Sequence, residues 1–255
     1  MTLQPGKLIL AKDYNTIDPN FDNVSVLLSG EGTNGSTTII DSSNNNNVVT
    51  AVGDASISTA IADPFGNSDA GVLAFDGNGD ILTAPNNAIF EVNADDFTLE
   101  AWVYVLSYPG NYASVADYAR DSVVNTQDYC WVFGLRNDGS VYFDSSNNTT
   151  AFLQILSGTT QIPQLTWSHI AVTREGDTFR TFANGQVVAT SVKSGAIFTP
   201  SSSILKVGRL GASLNPFDGY ISNLRITKGV ARYTSNFTPP TAPFPIYSPT
   251  TRAQA

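Results

Sequence analysis

The sequence predicts an all-β protein folded as a two-sheet sandwich of antiparallel strands. Of the 255 residues 42% are hydrophobic but only 14% are charged. The polar remainder is dominated by Asn, Ser, Thr and Gly, which suits strands joined by polar turns. Short stretches rich in Val, Ile, Thr, Phe and Tyr also alternate with turn signals along most of the chain. Together these observations favour strands over helices.

Three zones divide the chain. We expect an extended N-terminal arm over residues 1–20, a strand-rich domain over 21–236 and a Pro-rich C-terminal arm over 237–255. The prolines of the last zone remove backbone donors, so this arm cannot be a central strand. Such arms are ordered only when something holds them. Packing on the sandwich would do so, but we expect neighbouring subunits to hold both arms.

The central zone reads as one continuous series of strands. Two-residue alternation and β-branched or aromatic content mark each of them. The candidate strands are 24–28, 37–41, 48–52, 72–75, 81–84, 97–105, 129–135, 140–144, 152–155, 168–174, 178–183, 186–190, 205–208 and 219–227.

Turn signals support antiparallel pairing of these strands. Asn184 and Gly185 between two apolar-rich runs predict a two-residue hairpin of type I′. Further turns are predicted at 137–140 and 175–177. Strand, turn and strand in such succession describe a meander or a jelly roll.

Charge and cysteine content exclude several function classes. With 13 basic against 22 acidic residues the net charge is −9, which would repel a nucleic acid backbone. Cys130 is the single cysteine, so no disulfide forms within the chain, and its apolar surroundings predict a buried residue. One His and one Cys also exclude a zinc site of the usual Cys/His type.

Neither a signal peptide nor a membrane span is evident. The first twelve residues lack an apolar h-region of useful length, and no run approaches 18 apolar residues. We therefore expect a protein that is made in the cytoplasm and does not insert into a membrane.

Several segments in order resemble the laminin-G-like jelly-roll family of the concanavalin A-like lectin class. They are 30–43 (GEGTNGSTTIIDSS), 75–80 (FDGNGD), 97–104 (FTLEAWVY), 167–174 (WSHIAVTR), 182–185 (FANG) and 217–226 (FDGYISNLRI). The resemblance implies a jelly-roll β-sandwich. Many relatives carry Asp where this chain has Asn223. The stretch 229–240 (GVARYTSNFTPP) resembles a tail found on such domains in phage proteins, which implies a virion protein made in the host cytoplasm.

Acidic residues near turns are candidate calcium ligands. The run 76–80 (DGNGD) has the alternating spacing that begins an EF-hand loop, but the later EF-hand positions are absent, which favours a tight corner without metal. Calcium prefers oxygen ligands from Asp-rich loops such as those of this family. No cofactor is required by the sequence; the candidate ligands for an optional calcium are Glu31, Asp76, Asp80 and Asp218.

Catalytic arrangements are not found. Glucanases of this fold carry three acidic residues on one strand, whereas the nearest pair here, Asp96 and Glu100, has no third member. We expect Glu100 to be solvated or to line a cleft, in a structural role. The single histidine, His169, lies within a predicted strand and has no nucleophile elbow to serve. The sequence therefore predicts a protein that is not an enzyme.

A polar, aromatic-rich stretch between two predicted strands is the candidate contact loop. Tyrosine rings stack on sugars and Asn hydrogen-bonds hydroxyls, although surface aromatics also dock proteins or pack over a sheet. The residues predicted to contact a glycan or a partner are Tyr108, Asn111, Tyr112, Tyr118 and Arg120.

Two functions remain open from the sequence. The first is a structural protein of a bacteriophage virion, as a capsid decoration or cement protein or a tail-fibre component, with both arms contacting copies of itself or other virion proteins. The alternative is a carbohydrate-binding lectin module that attaches to surface glycans, with or without calcium.

Overall fold

The computed structural model describes residues 17–120, 128–146, 152–211 and 215–249, with the backbone alone at 129 and 152–159. Within these ranges the chain forms sixteen strands and two short 3-10 turns, Phe21–Asn23 and Ala88–Phe90. The strands are β1 (Val24–Leu28), β2 (Thr38–Ile39), β3 (Val49–Val52), β4 (Ser56–Ser58), β5 (Val72–Asp76), β6 (Ile81–Ala84), β7 (Phe97–Ser107), β8 (Tyr112–Arg120), β9 (Tyr129–Arg136), β10 (Ser140–Ser146), β11 (Phe152–Gln161), β12 (Ser168–Glu175), β13 (Thr178–Ala183), β14 (Gln186–Val192), β15 (Ser203–Val207) and β16 (Asp218–Lys228).

The strands form two sheets. Sheet 1 has the order β14-β13-β12-β7-β16-β5-β4, with β1 pairing to β16 beside this path. Sheet 2 has the order β11-β10-β9-β8-β15-β6-β3-β2. The strand pairs of the described residues are antiparallel, including the central pairs β7–β16 and β8–β9. The predicted two-sheet jelly-roll sandwich is confirmed.

A single large core lies between the two sheets. Alternate residues of β7 from Phe97 to Val105 are buried in it. The ring of Phe97 meets that of Phe143 from sheet 2, with centroids 5.6 Å apart. Trp131, also from sheet 2, is fully buried and donates its indole N–H to the carbonyl of Phe90 at 3.0 Å. Burial of each such side chain contributes about 1.5–3 kcal/mol, so the core fixes which face of each sheet points outward.

The predicted strands all coincide with observed ones, but two observed strands were missed. β4 is only three residues long. β8 occupies residues that the sequence favoured as a loop. Its alternation is broken by a bulge between Ser114 and Ala116 and by the buried carboxylate of Asp117. These features hide the two-residue period of an otherwise buried strand.

The hairpin at Asn184 and Gly185 forms as predicted. Both residues have positive φ, 47° and 77°, and Ala183 pairs with Gln186 across the turn. The turns after β9 and β12 also lie where the sequence placed them, with glycines at positive φ. Cys130 is buried, as expected.

The described part of the C-terminal arm lies on its own sandwich. The N–H of Phe237 donates to the carbonyl of Gly185 at 2.8 Å. Near the other end of this arm, the carbonyl of Tyr247 accepts a hydrogen bond from the N–H of Asp18 at 3.0 Å. Packing within the chain, the alternative that the sequence left open, therefore holds these residues. Contacts of the arms with neighbouring subunits stay a prediction, and residues 1–16 and 250–255 lie outside the described ranges.

Candidate functional site

The outer face of sheet 1 carries a set of polar and aromatic side chains. Along β7, core residues alternate with Glu100, Trp102 and Tyr104, which point away from the core. Cross-strand pairing aligns Arg225 of β16 with Glu100, and Tyr220 with Tyr104. The outer face thus has two parts: a covered half around Glu100 and Arg225, and an open half around Tyr104 and Tyr220.

A buried ion pair lies at the centre of the covered half. The side chain of Glu100 is 0% exposed and that of Arg225 is 5% exposed. Arg225 Nη2 lies 2.7 Å from Glu100 Oε1, and His169 Nε2 lies 3.2 Å from Glu100 Oε2. Burial raises the pKa of Glu100, but the charge of Arg225 and the hydrogen bond with His169 outweigh it and hold the pKa at about 2.

Both arms contribute to this cluster. Asp18, from the end of the N-terminal arm, accepts hydrogen bonds from Arg225 at 3.1 Å and from Arg232 at 2.7 Å. The ring of Phe244, from the C-terminal arm, covers the guanidinium of Arg225 at 3.6 Å. The N–H of Phe244 donates to Asn223 Oδ1 at 3.0 Å. Each buried charge therefore has an opposite charge beside it, which is the condition under which buried ions are tolerated.

Two aromatic residues that precede or begin the C-terminal arm complete the cover. Tyr233 donates its hydroxyl to Glu100 Oε2 at 2.8 Å, and burial raises the pKa of this phenol. Its ring stacks on Phe237 with centroids 3.6 Å apart. Phe237 also meets the edge of His169 at 5.6 Å. The covered half is thus closed by residues of the same chain.

These contacts revise one expectation and agree with another. Glu100 is fully buried instead of solvated, because the segment from Tyr233 to Phe244 covers the sheet above it. His169 is a 0% exposed strand residue that is paired to Glu100, consistent with a structural role. Asp96, the other member of the nearest carboxyl pair, accepts the N–H of Gly176 at 2.7 Å. Both carboxylates therefore take part in holding the fold.

The open half carries a line of three partly exposed aromatic side chains, which we call the aromatic row: Trp167, Tyr104 and Tyr220. The centroid of Tyr104 lies 5.6 Å from that of Trp167 and 6.0 Å from that of Tyr220. Trp167 is fixed by a 2.9 Å hydrogen bond from its indole N–H to the carbonyl of Ala62. Within the described ranges, neither tyrosine hydroxyl of the row has a hydrogen-bond partner.

A tight corner between β5 and β6 borders the open half. Asp80 accepts the N–H of Asp54 at 2.5 Å and that of Asp76 at 2.9 Å. Asp76 accepts the N–H of Asn78 at 2.7 Å. Burial raises the pKa of Asp80 in spite of these hydrogen bonds. The Asp-Gly-Asn-Gly-Asp run is therefore closed by its own carboxylates, as a tight corner requires.

Two carboxylates of the predicted calcium set meet beside this corner. Asp218 is aligned with Asp76 across the β16–β5 pair, and Ser107 donates its hydroxyl to Asp218. Asp218 lies two residues before Tyr220 on the same strand face, about 6.8 Å along it. We call Asp76, Asn78 and Asp218 the rim: the two carboxylates are paired next to Tyr220, and Asn78 donates its N–H to Asp76 in the corner.

The five predicted contact residues do not form one site. Tyr108 and Asn111 lie in the turn between β7 and β8, close to the rim, since Pro109 of that turn approaches Gly77. Burial, with a smaller effect of the nearby Asp138 charge, raises the pKa of Tyr108 to about 12.

The other three predicted contact residues lie elsewhere. Tyr112 packs against Tyr142 on sheet 2, with centroids 5.0 Å apart. Tyr118 is 0% exposed in the core, where its hydroxyl donates to the carbonyl of Asn87 at 3.2 Å, so it does not reach a ligand at the surface. Arg120 ends β8 and binds Asp128 at 3.1 Å. These positions follow from β8 being a strand and not a loop.

The predicted calcium ligands are only partly brought together. Glu31 follows Gly30, which packs on the backbone of Val72 at the opposite end of β5 from Asp76; four residues of strand correspond to roughly 13 Å. In the part of the chain that the structure describes, no three His, Cys, Asp or Glu side chains are grouped to hold a metal ion. Calcium binding stays a prediction.

Sequence reasoning did not single out the aromatic row as a site. The alternation in β7 did indicate that Trp102 and Tyr104 share a face opposite the core. Trp167 and Tyr220 are distant in sequence, and only the pairing of β16 and β12 with β7 brings them to the same face. A tyrosine two residues after Asp218 in a strand was the signal that would have pointed to it.

Comparison with known proteins identifies the fold family. The sequence model of the concanavalin A-like lectin/glucanases superfamily matches residues 76–232. Pappalysin-1 of Mus musculus is 27% identical over 170 residues, which are 63% of this chain and 10% of that protein. Human pappalysin-1 is 26% identical over a stretch of the same length. The chain thus spans about a tenth of the length of these curated relatives.

Solved structures with the same fold include domains of toxins and of a glycosidase. The binding domain of Paraclostridial Mosquitocidal Protein 1 has a TM-score of 0.61 at 18% identity and covers 83% of this chain and 50% of that one. A second structure is domain 4 of a GH43 extracellular arabinanase from Geobacillus stearothermophilus in complex with arabinotriose. Its TM-score is 0.59 at 15% identity, and the match covers 81% of this chain and 93% of that domain. A third is the binding domain of botulinum neurotoxin DC in complex with SialylT. Its TM-score is 0.53 at 14% identity, and the match covers 83% of this chain and 49% of that one. At these identities the likeness shows the fold.

No helix within the described ranges has the length and apolar character that a membrane span requires.

Proposed function

The chain belongs to the concanavalin A-like lectin/glucanases superfamily, and from this premise we propose that it is a carbohydrate-binding, lectin-like module without catalytic activity. The observation that carries the proposal is the aromatic row, Trp167, Tyr104 and Tyr220, partly exposed on the outer face of sheet 1. A glycan lying along this row would contact three rings and the rim beside them.

The chemistry of the row suits a sugar. Aromatic rings offer apolar faces for the C–H groups of a pyranose or furanose, and phenol hydroxyls both donate and accept hydrogen bonds. The hydroxyls of Tyr104 and Tyr220 are not used within the described chain, so they remain available to a ligand. Carboxylates and amides of the rim are acceptors and donors for sugar hydroxyls. Such a surface binds a sugar through apolar contacts, and a few polar groups fix the orientation of that sugar.

The comparisons support a binding module over an enzyme. Two of the structures with the same fold are complexes, one with arabinotriose and the other with SialylT. In this chain, Glu100 and Asp96 are engaged in structural contacts, so the nearest carboxyl pair is not poised for glycoside hydrolysis.

The virion role stays a prediction from the sequence resemblance of residues 229–240. Arg232, Tyr233 and Phe237 of that stretch are used to cover sheet 1 of the same chain. If the protein decorates a particle, purified particles should carry bound copies of this chain. Mass spectrometry should show their number falling when the protein is removed and rising when it is added back. A chain that binds glycans but never co-purifies with particles would contradict the virion role alone.

A glycan array tests the carbohydrate proposal. The wild-type chain should bind at least one oligosaccharide, and a Tyr104→Ala/Tyr220→Ala double variant should lose that signal. Tyr112→Ala is the matched control, because Tyr112 is also a partly exposed tyrosine but packs on sheet 2. Repeating the array with a chelator tests whether calcium contributes. Binding that survives the double variant, or no binding to any glycan, would contradict the proposal.

A further inference from the structure

Charge is distributed unevenly along the chain. Residues 13–119 contain fifteen Asp and Glu and not one Lys or Arg. This stretch supplies β4, β5 and β7, which border or form the open half of sheet 1. These three strands therefore contain no Lys or Arg, and the basic residues of β12 and β16, which are Arg174, Arg225 and Lys228, lie toward the covered end of sheet 1.

The carboxylates closest to the row are those of the rim. Asp218 and Tyr220 pair in unbroken register with Asp76 and Ala74 of β5, which keeps both on one face although the pairing with β7 shifts between Asp218 and Gly219. Opposite positions in an antiparallel pair hold side chains about 5 Å apart at Cβ. An anionic group on a sugar bound over Tyr220 would thus meet two negative charges at a short distance.

Among the described residues, the basic groups nearest the open half are already engaged. Arg225 and Arg232 bind Glu100 and Asp18 in the covered half. Arg209 approaches the corner from sheet 2 and donates to the carbonyl of Gly79 at 2.9 Å. In the described chain none of these guanidinium groups is free to pair with an acidic sugar placed on the row.

We propose that the aromatic row selects uncharged glycans and rejects those with a sialic acid, uronic acid or sulfate group. This inference rests on the proposed carbohydrate function and adds the ligand class. The rings supply affinity that does not depend on charge, while Asp76 and Asp218 disfavour anions electrostatically. The row crosses three neighbouring chain segments, and two strand spacings are roughly 9.6 Å, so a short linear oligosaccharide suits it better than a single sugar.

The test is a comparison of matched ligands. Each neutral oligosaccharide that binds in the array is titrated beside its sialylated, sulfated or uronic acid counterpart by isothermal calorimetry at low ionic strength. We expect the neutral member to bind at least tenfold more tightly, which corresponds to about 1.4 kcal/mol. Because salt screens exposed charges, the ratio should shrink at about 1 M NaCl.

Two variants separate the effect of the rim carboxylates on selectivity from the effect of the protein's net charge. Asp76→Asn/Asp218→Asn should bring the acidic counterpart to within about threefold of the neutral one. The control removes carboxylates far from the row: Glu175→Gln/Asp177→Asn changes net charge equally, but lies at the end of β12 that pairs with the start of β7. This control should leave the ratio unchanged.

The outcomes distinguish the two proposals. Acidic glycans that bind as tightly as neutral ones, with loss in Tyr104→Ala/Tyr220→Ala, would overturn the selectivity and leave the carbohydrate function standing. If the ratio of neutral to acidic glycan affinity changed equally in the rim variant and in the control variant, the role of the rim would also be overturned. Absence of all glycan binding would instead overturn the proposed function itself.

Discussion

The two halves of the outer face of sheet 1 use similar side chains for opposite purposes. In the covered half, Tyr233 and Phe237 are stacked over a buried ion pair, and the hydroxyl of Tyr233 is bonded to Glu100 of that pair. The rings of Tyr104 and Tyr220 in the open half are partly exposed as well, but their hydroxyls have no hydrogen-bond partner among the described residues. Aromatic content alone therefore does not mark a binding surface. What separates the halves is whether the chain itself already occupies the rings.

The covered half also shows how the arms are tied to the domain. Asp18 from one arm and Phe244 from the other meet at Arg225. Removing a member of this cluster should therefore cost stability, whereas removing a member of the aromatic row should cost binding.

The largest effect is expected for Glu100→Gln. The variant leaves Asp18 as the only carboxylate beside the two buried guanidinium groups of Arg225 and Arg232, and breaking a buried ion pair costs about 3–5 kcal/mol. Urea unfolding at pH 7 measures the change. Glu175→Gln is the control, since its ion pair with Arg180 is exposed and should contribute less than about 1 kcal/mol. Equal losses in both variants would contradict the central place of Glu100.

The difference between wild type and Glu100→Gln should depend on pH. The pKa of Glu100 in the folded chain, about 2, is below its ordinary value of 4.5. The unfolded chain then binds more protons, so the stabilisation is fully present above about pH 5 and is lost as the pH falls through 4.5 toward 2. Unfolding of both proteins at several pH values should show the gap closing. A gap that is constant from pH 7 to pH 3 would be inconsistent with this ion pair.

Phe244→Ala should have the next largest effect. The side chain is 6% exposed and covers Arg225, so its loss uncovers a buried charge and removes apolar contact. Phe-to-Ala changes in cores cost about 3–5 kcal/mol, and we expect the lower end at this peripheral position. Val192→Ala is the control, because Val192 is 71% exposed and should change stability by no more than about 0.5 kcal/mol. Equal unfolding midpoints would show that the arm is not held here.

Two substitutions of Asn223 should separate the contributions of its backbone conformation and of its side chain to stability. Its φ is 50°, and its Oδ1 accepts the N–H of Phe244. Asn223→Asp keeps the acceptor but loses the donor to Ser222 Oγ and buries a carboxylate, at a cost of about 1–2 kcal/mol. Asn223→Val loses the acceptor and places a β-branched residue at positive φ, at a cost of about 2–3 kcal/mol. Denaturant unfolding measures both. If Asn223→Asp destabilised the protein more than Asn223→Val, the hydrogen bond from Phe244 to the side chain of Asn223 would be contradicted.

Local pattern was sufficient to predict most of the sandwich from the sequence. Alternation in residues 97–105 identified β7 and its core face, and Asn184 with Gly185 identified a hairpin, because these signals depend on neighbours in sequence. β8 was missed because a bulge and a buried Asp117 interrupt the period.

Both halves of the outer face were harder to predict, because each brings together residues that are distant in sequence, as Tyr104 and Tyr220 are in the aromatic row. Asp18 and Arg232 are 214 positions apart, and Glu100 and Arg225 are 125 apart. No local pattern indicates which of many acidic and basic residues will pair over such separations. Tyr118 was assigned to a surface loop for the same reason, since its burial is decided by the pairing of β8 with β9 and β15.

The most direct test combines stability and binding in two variants. Using a glycan that the wild-type chain binds, Tyr220→Ala should weaken binding at least tenfold and change the free energy of unfolding by less than about 1 kcal/mol. Phe244→Ala, measured below its unfolding transition, should lower stability and keep the wild-type affinity. The reverse pattern, with binding lost in Phe244→Ala and kept in Tyr220→Ala, would contradict the division of the outer face into a covered half and an open half.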